Sequence, residues 1–140
     1  MRKLLVMIQG VSHLTFVVRD LERATAFWQE IFEAVVVYDS GDETHSLSRE
    51  RFLLVGNLWI ALMEGEPLEA PTYNHIAFAI DDADFEHYRV RLEEAHVRMR
   101  PPRPRISGEG RSLYFYDEDN HLFELHTGTL AERLAAYRMG

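Results

Sequence analysis

SHLTFVVRDLERATAFWQEIF (residues 12–32) and NHIAFAIDDADFEHYRVRLEEA (residues 74–95) say nearly the same thing twice. Each opens on a small polar residue and a histidine, His13 or His75. Each then runs apolar for a strand, reaches an aspartate and turns helical. In the first, Asp20 is placed to cap a helix with Leu21, Ala24, Phe27, Trp28 and Ile31 on its apolar face. In the second, Asp81 or Asp82 is placed to cap a helix carrying Phe85, Tyr88, Leu92 and Ala95. The spacing of three and four is that of an amphipathic helix, and an aspartate before it accepts an N–H that the first turn leaves unpaired.

Strand material follows each helix: AVVVYDS, HSLSRERFLLVG and NLWIALMEG in the first half, VRMRPP, RSLYFYDED and NHLFELHTG in the second. Each half therefore reads β-α-β-β-β, with Gly, Asp, Asn and Pro at the turns. The expected fold class is α+β, tandem βαβββ modules forming a curved mixed sheet around a metal-binding cleft. The reading is of one domain over 1–140, with a first module over 7–66 and a second over 72–127. The join falls near EGEPLEAPT (64–72), where two prolines break the pattern. A C-terminal helix over 129–138 follows, with Thr129 and Glu132 as a capping box and Leu130, Leu134 and Tyr137 as its apolar face.

With 140 residues, 46% hydrophobic and 27% charged, the chain has the composition of an ordinary globular domain. The formal net charge of −8 argues against nucleic acid or an anionic membrane surface as the main partner. The chain contains no cysteine, which excludes disulfides, thiolate metal sites and a cysteine nucleophile and fits a cytoplasmic location. The start, MRKLLVMIQG, is too short in its apolar run for a signal peptide, and no stretch approaches a membrane span. A soluble protein is expected, with Met7 an equally good start.

In NHLFELHTG, period two puts Leu122, Glu124 and His126 on one face of a strand and Phe123 and Leu125 on the other. A carboxylate buried there is costly unless paired. Matching this segment to NLWIALMEG sets Leu58 against Leu122, Trp59 against Phe123 and Ile60 against Glu124. The repeat also sets His13 against His75. Two histidines and a carboxylate lining one cleft would hold a divalent cation and leave positions open, because Ile60 cannot ligate. A buried Glu–Arg pair is the other explanation for Glu124. His45, His87, His96 and His121 read as surface or turn residues, and His126, on the Glu124 face near the strand end, reads as structural, with a place behind the ligands as the alternative.

Glu50 stands between two arginines ahead of an apolar strand. It reads as part of a solvated hairpin, or as a general base if the strand bends over the cleft. The segment RPPRPRISGEGRS (100–112) gathers Arg100, Arg103, Arg105 and Arg111 in an otherwise acidic chain. It would form a pocket for a small anion, with Ser112, Tyr114 and Arg133 as further donors.

VSHLTFVVRDL (11–21), SLSRERF (46–52), NLWIALMEG (57–65), YNHIAF (73–78) and PRPRISGEGRSLYFYDEDNHLFELHTGTLAERL (102–134) resemble the vicinal oxygen chelate superfamily of glyoxalases, dioxygenases and antibiotic-resistance proteins. Within it they resemble the fosfomycin-resistance epoxide hydrolases, from Met7 to about Tyr137. The resemblance implies metal ligands at His13, His75 and Glu124 with Mn(II) as cofactor, and a general base at Glu50. It implies contacts to the epoxide or phosphonate from Thr15, Ser112, Tyr114 and Arg133, with Arg105 of the arginine loop beside them. It also implies pocket walls at Trp59 and Phe52, and a homodimer whose modules pair across chains, so that those walls serve the other subunit's site. Thiol-transferring relatives that use glutathione carry a potassium-binding loop with no counterpart here, which favours water as nucleophile. A thiol transferase on the same epoxide, another metal enzyme such as an isomerase or dioxygenase, and a drug-sequestering binding protein are the alternatives.

Overall fold

The computed structural model describes residues 6–139. Most of the basic, apolar start considered above, residues 1–5, lies outside the described residues. The first half is β1 (His13–Val18), α1 (Leu21–Phe32), β2 (Val35–Asp39), β3 (Glu50–Val55) and β4 (Leu58–Glu64). The second is β5 (His75–Ala79), a 3-10 turn at Asp82–Asp84, α2 (Phe85–Glu94), β6 (Arg98–Arg100), β7 (Ser112–Tyr116) and β8 (Leu122–His126), and α3 (Leu130–Met139) follows.

Each half forms a four-stranded mixed sheet, ordered β1-β4-β3-β2 and β5-β8-β7-β6. In both, the first strand runs parallel to the last and the rest are antiparallel. The expected α+β class is observed, with the sheet divided into two equivalent halves.

Asp20 caps α1 by accepting from the Arg23 N–H at 3.1 Å. The helix buries Leu21, Ala24, Trp28 and Ile31 as its spacing predicts, with Thr25 and Phe32 added. The second cap differs from expectation. Neither Asp81 nor Asp82 caps α2, because the 3-10 turn intervenes and α2 begins at Phe85 with no side-chain cap. Asp82 instead accepts from Arg111 Nε at 3.0 Å. At α3, Thr129 and Glu132 form the capping box, with the Thr129 N–H donating to Glu132 and the Glu132 N–H to Thr129, both at 3.1 Å. Its apolar residues are not buried in the chain: Leu130 is 72% exposed and Tyr137 is 49% exposed.

Strand alternation sends Phe16 and Val18 of β1, Leu53 of β3, Ile60 and Leu62 of β4, Phe115 of β7 and Phe123 and Leu125 of β8 into one core. Phe123 touches Phe16 (5.5 Å between ring centroids), Trp28 (5.3 Å) and Phe32 (5.5 Å). The two halves are thus joined core face to core face, with α1 packed between them. Their opposite faces are left to carry the functional side chains.

Register corrects the internal match. His13 lies beside Trp59 and Thr15 beside Ala61, while His75 lies beside Leu122 and Ala77 beside Glu124. The counterpart of Glu124 is therefore Ala61, not Ile60, and Trp59 corresponds to Leu122. Ile60 is fully buried in the core. A slip of one residue in a strand exchanges its faces, and a gapless match of short apolar segments cannot detect that slip. The conclusion drawn from the match survives, since alanine cannot ligate either.

Candidate metal centre and anion site

On β5 and β8, His75 and Glu124 project from the same face. His75 Nε2 lies 3.0 Å from Glu124 Oε1. His75 Nδ1 is 2.6 Å from the Tyr73 carbonyl, which can only accept, so Nδ1 carries the hydrogen. Nε2 is then the nitrogen that faces the carboxylate, an arrangement that accommodates a proton or a cation between the two. This donor set fits a divalent cation, and the carbonyl behind His75 orients the ring as ligating histidines require.

Glu124 is 4% exposed. Its Oε2 accepts from the Ser112 hydroxyl at 2.5 Å and faces Arg105 Nη2 at 3.4 Å. Burial raises its pKa, but the Ser112 hydrogen bond and the neighbouring His75 and His126 outweigh that and hold the carboxyl below its usual range. Both readings of Glu124, metal ligand and partner of an arginine, thus have a structural counterpart. Ser112 Oγ also meets His126 Nδ1 at 2.7 Å and Arg105 Nη2 at 2.8 Å. Arg133 Nη2 approaches His126 Nε2 at 3.3 Å, and an arginine can only donate. His126 Nδ1–H and Arg105 therefore donate to Ser112, whose own hydrogen is committed to Glu124. Burial, aided by the nearby arginines, pushes the His126 pKa down. His126, which the sequence offers as a support to the Glu124 site only as the alternative to a structural role, thus stands in that support, and its place on the Glu124 face is the signal.

Arg105 Nη2 also donates to the Tyr114 hydroxyl at 2.9 Å. Burial pushes the Tyr114 phenol up to about 12, so it stays protonated. A cavity of about 440 Å³, lined by Tyr73, Arg100, Pro101, Pro102, Arg103 and Tyr114, opens beside this cluster. Of the loop arginines, Arg103 and Arg105 turn toward Glu109, Arg100 lies against Tyr116 and the Tyr73 ring, and Arg111 leaves for Asp82 and Phe85.

The second group stands on the other sheet. Registers of β1, β3 and β4 put His13, Thr15, Glu50, Phe52 and Trp59 on one face. His13 stacks on Trp59 with 4.1 Å between ring centroids, and Phe52 meets the Trp59 ring at 5.1 Å. Glu50 is 7% exposed, so the solvated hairpin is not what forms. Its backbone is tied to Ser40, and its carboxylate accepts no hydrogen bond among the described residues. Arg51, one of its flanking cations, leaves on the opposite side to pair with Glu22 and Asp39.

Within one chain the expected triad is not assembled. Among the described residues no three His, Asp or Glu side chains are placed to hold a metal together. His75 and Glu124 meet, while His13 stays on the first sheet. The cause is the core: the two sheets are fused through their apolar faces, so their polar faces cannot also meet each other.

A family model for the glyoxalase/bleomycin resistance protein/dioxygenase superfamily matches residues 10–125. The chain belongs to that superfamily. Within the superfamily, it is 60% identical over 134 residues to the fosfomycin resistance protein FosX of Mesorhizobium japonicum, covering 96% of each chain. It is 38% identical to the metallothiol transferase FosB of Shouchella clausii, covering 94% of this chain and 88% of that one. Among solved structures of superfamily members, a point variant of FosX from Listeria monocytogenes superposes with a TM-score of 0.86 at 53% identity, covering 94% of this chain and 99% of the other. That crystal structure is complexed with Mn(II) and 1S,2S-dihydroxypropylphosphonic acid. Among the described residues no helix is long and apolar enough to cross a membrane.

Proposed function

We propose that this protein is a metal-dependent hydrolase that adds water to the epoxide of fosfomycin, or of a related phosphonate epoxide, and so confers fosfomycin resistance. It works as a homodimer in which the polar face of the first sheet of one chain meets the polar face of the second sheet of the other. The observation that carries this reading is the split site. One face holds a metal-type His–Glu pair with an arginine and tyrosine cluster, and the other holds a histidine, a threonine and Glu50, a largely buried residue whose carboxylate accepts no hydrogen bond among the described residues. Each is half of a hydrolytic centre.

His75 and Glu124, with His13 of the partner subunit, would hold the divalent cation, and Mn(II) is supported by its presence in the Listeria relative. When bound, the metal supplies Lewis-acid polarisation of the oxirane C–O bond and an anchor for phosphonate oxygens. The rest belongs to the chain. Arg105, Tyr114 and Arg133 present donors to the phosphonate, and Trp59 and Phe52 wall the pocket from the other subunit. Glu50 takes a proton from water as the water oxygen bonds to an oxirane carbon. The C–O bond to that carbon breaks, its electron pair goes to oxygen, and Thr15 donates to the developing alkoxide. The alkoxide is protonated, Glu50 returns its proton to solvent, and the product is a vicinal diol phosphonate. The diol bound to the Listeria relative has that composition. Ser112 acts chiefly by holding Glu124, since its hydrogen points there.

Water is favoured over a thiol because a carboxylate that accepts no hydrogen bond among the described residues suits deprotonation of water, and because the FosX relatives, one of them bound to a diol, are much nearer than the metallothiol transferase. The lack of cysteine supports a cytoplasmic enzyme. The test is ³¹P NMR of fosfomycin with metal-stripped protein, with and without Mn(II), beside Glu50→Gln. A metal-dependent diol signal that falls by about 10²–10⁴ in the variant is expected. A thiol adduct, or no turnover with intact Mn(II) binding, would overturn the hydrolase.

A further inference from the structure

The arginine loop places a carboxylate where an anion site would seem to have no use for one. Glu109 is 1% exposed, and the reaction proposed above does not employ it. Its Oε1 accepts from Arg103 Nη2, from the Tyr137 hydroxyl at 2.8 Å and from Arg105 Nη1 at 3.4 Å, and Arg133 Nε lies 3.9 Å away. Its Oε2 accepts the Ile106 N–H at 3.1 Å. These partners come from two segments, the loop before β7 and α3. Gly110, at φ +86°, lets the loop press against the chain leading into α3: a Cβ there would lie 2.8 Å from the Gly128 nitrogen.

Arg105 shows the consequence. One arm of its fork, Nη1, is held by Glu109, and the other, Nη2, reaches Ser112, Tyr114 and Glu124. Three guanidiniums confined to one pocket repel one another, and a carboxylate among them offsets that while leaving the group cationic. We propose that Glu109 is a positioning residue of the anion site: its buried carboxylate gathers Arg103, Arg105 and Arg133 from the loop and α3, so that the donors stand in place before a phosphonate arrives. This rests on the reading of the cleft as a phosphonate site. The effect on affinity is preorganisation, opposite in sign to the simple repulsion between a carboxylate and an anion.

The experiment uses the full chain loaded with Mn(II), as Glu109→Gln, Glu109→Asp and Tyr137→Phe. It measures inorganic phosphate binding by calorimetry, Mn(II) affinity, and kcat and KM for fosfomycin. We expect Glu109→Gln to weaken phosphate binding and raise KM by about 10–100-fold with Mn(II) affinity unchanged, as for other supporting residues. Glu109→Asp, which keeps the charge, falls between it and wild type. Tyr137→Phe, which keeps the carboxylate but removes one donor, shows a smaller rise and serves if Glu109→Gln fails to fold. Phosphate affinity that stays at the wild-type value or increases in a folded, Mn(II)-loaded Glu109→Gln overturns the proposal, as does a wild-type protein that binds no phosphate. If wild type binds phosphate but leaves fosfomycin intact, a loss of phosphate affinity in Glu109→Gln upholds the positioning role, and the proposed reaction alone falls.

Discussion

His75 and Glu124 face each other across parallel strands, Nε2 to Oε1 at 3.0 Å, and behind each stands a group that fixes its orientation. Tyr73 supplies a carbonyl to the imidazole, and Ser112 supplies a hydroxyl to the carboxylate. One sheet therefore builds this pair, half of the candidate metal centre, without help from the other.

Ser112→Ala removes the hydrogen that holds Glu124 Oε2. Mn(II) affinity should fall about 10–100-fold, read by titration of the free-ion EPR signal, whereas Glu124→Ala should abolish tight binding. Unchanged affinity in Ser112→Ala would show that the hydroxyl does not orient the ligand.

His13→Ala and Glu124→Ala should each be inactive alone. Unfolded and refolded together in equal amounts, they should recover about a quarter of wild-type activity, since half the dimers are mixed and each mixed dimer keeps one intact site. No recovery would place all three ligands within one chain.

Phe123 is fully buried and bridges β1, α1 and β8. Phe123→Ala should cost about 3–5 kcal/mol in urea unfolding of the metal-free protein. Phe52→Ala, on the half-buried polar face of β3, should cost far less while impairing turnover.

The bond from Arg103, working against burial and aided by the Ile106 N–H and Tyr137, holds the Glu109 pKa at about 2, against an ordinary value of 4.5. A depressed carboxyl stabilises the fold fully above its unfolded pKa and loses that contribution as pH falls toward the folded one. The stability gap between wild type and Glu109→Gln, measured metal-free, should be constant above about pH 5 and close between 4.5 and 2. A gap independent of pH would show that the fold leaves the Glu109 carboxyl unshifted, and a gap that widens as pH falls would show that it is not ionised in the fold.

Much of the candidate site was legible because its residues break local rules. Glu124 is a carboxylate in an apolar strand, the arginines cluster in an acidic chain, and His13 and His75 recur in step with the repeat. The alternation that exposed Glu124 also marked Phe123 as core. Glu109 was not legible: in GEGRS it looks like any loop carboxylate, and its burial depends on α3 folding back to bring Tyr137 and Arg133 over it. The cap of α2 failed for a similar reason, since three aspartates in DDAD offer equivalent local choices and the contact with Arg111 takes Asp82.

By itself the sequence determined the elements, their doubling and the side chains able to do chemistry. Those follow from periodicity, turn residues and functional groups, which act over a few residues. Only the tertiary structure decided that Ala61 rather than Ile60 stands opposite Thr15, and that Glu109 sits among three arginines. Only the tertiary structure, again, parts His13 from His75 and Glu124 within the chain. Strand register and the choice of which sheet faces fuse are set by packing between segments far apart in the chain. Here the aromatic core around Phe123 claims one face of each sheet and turns the other outward.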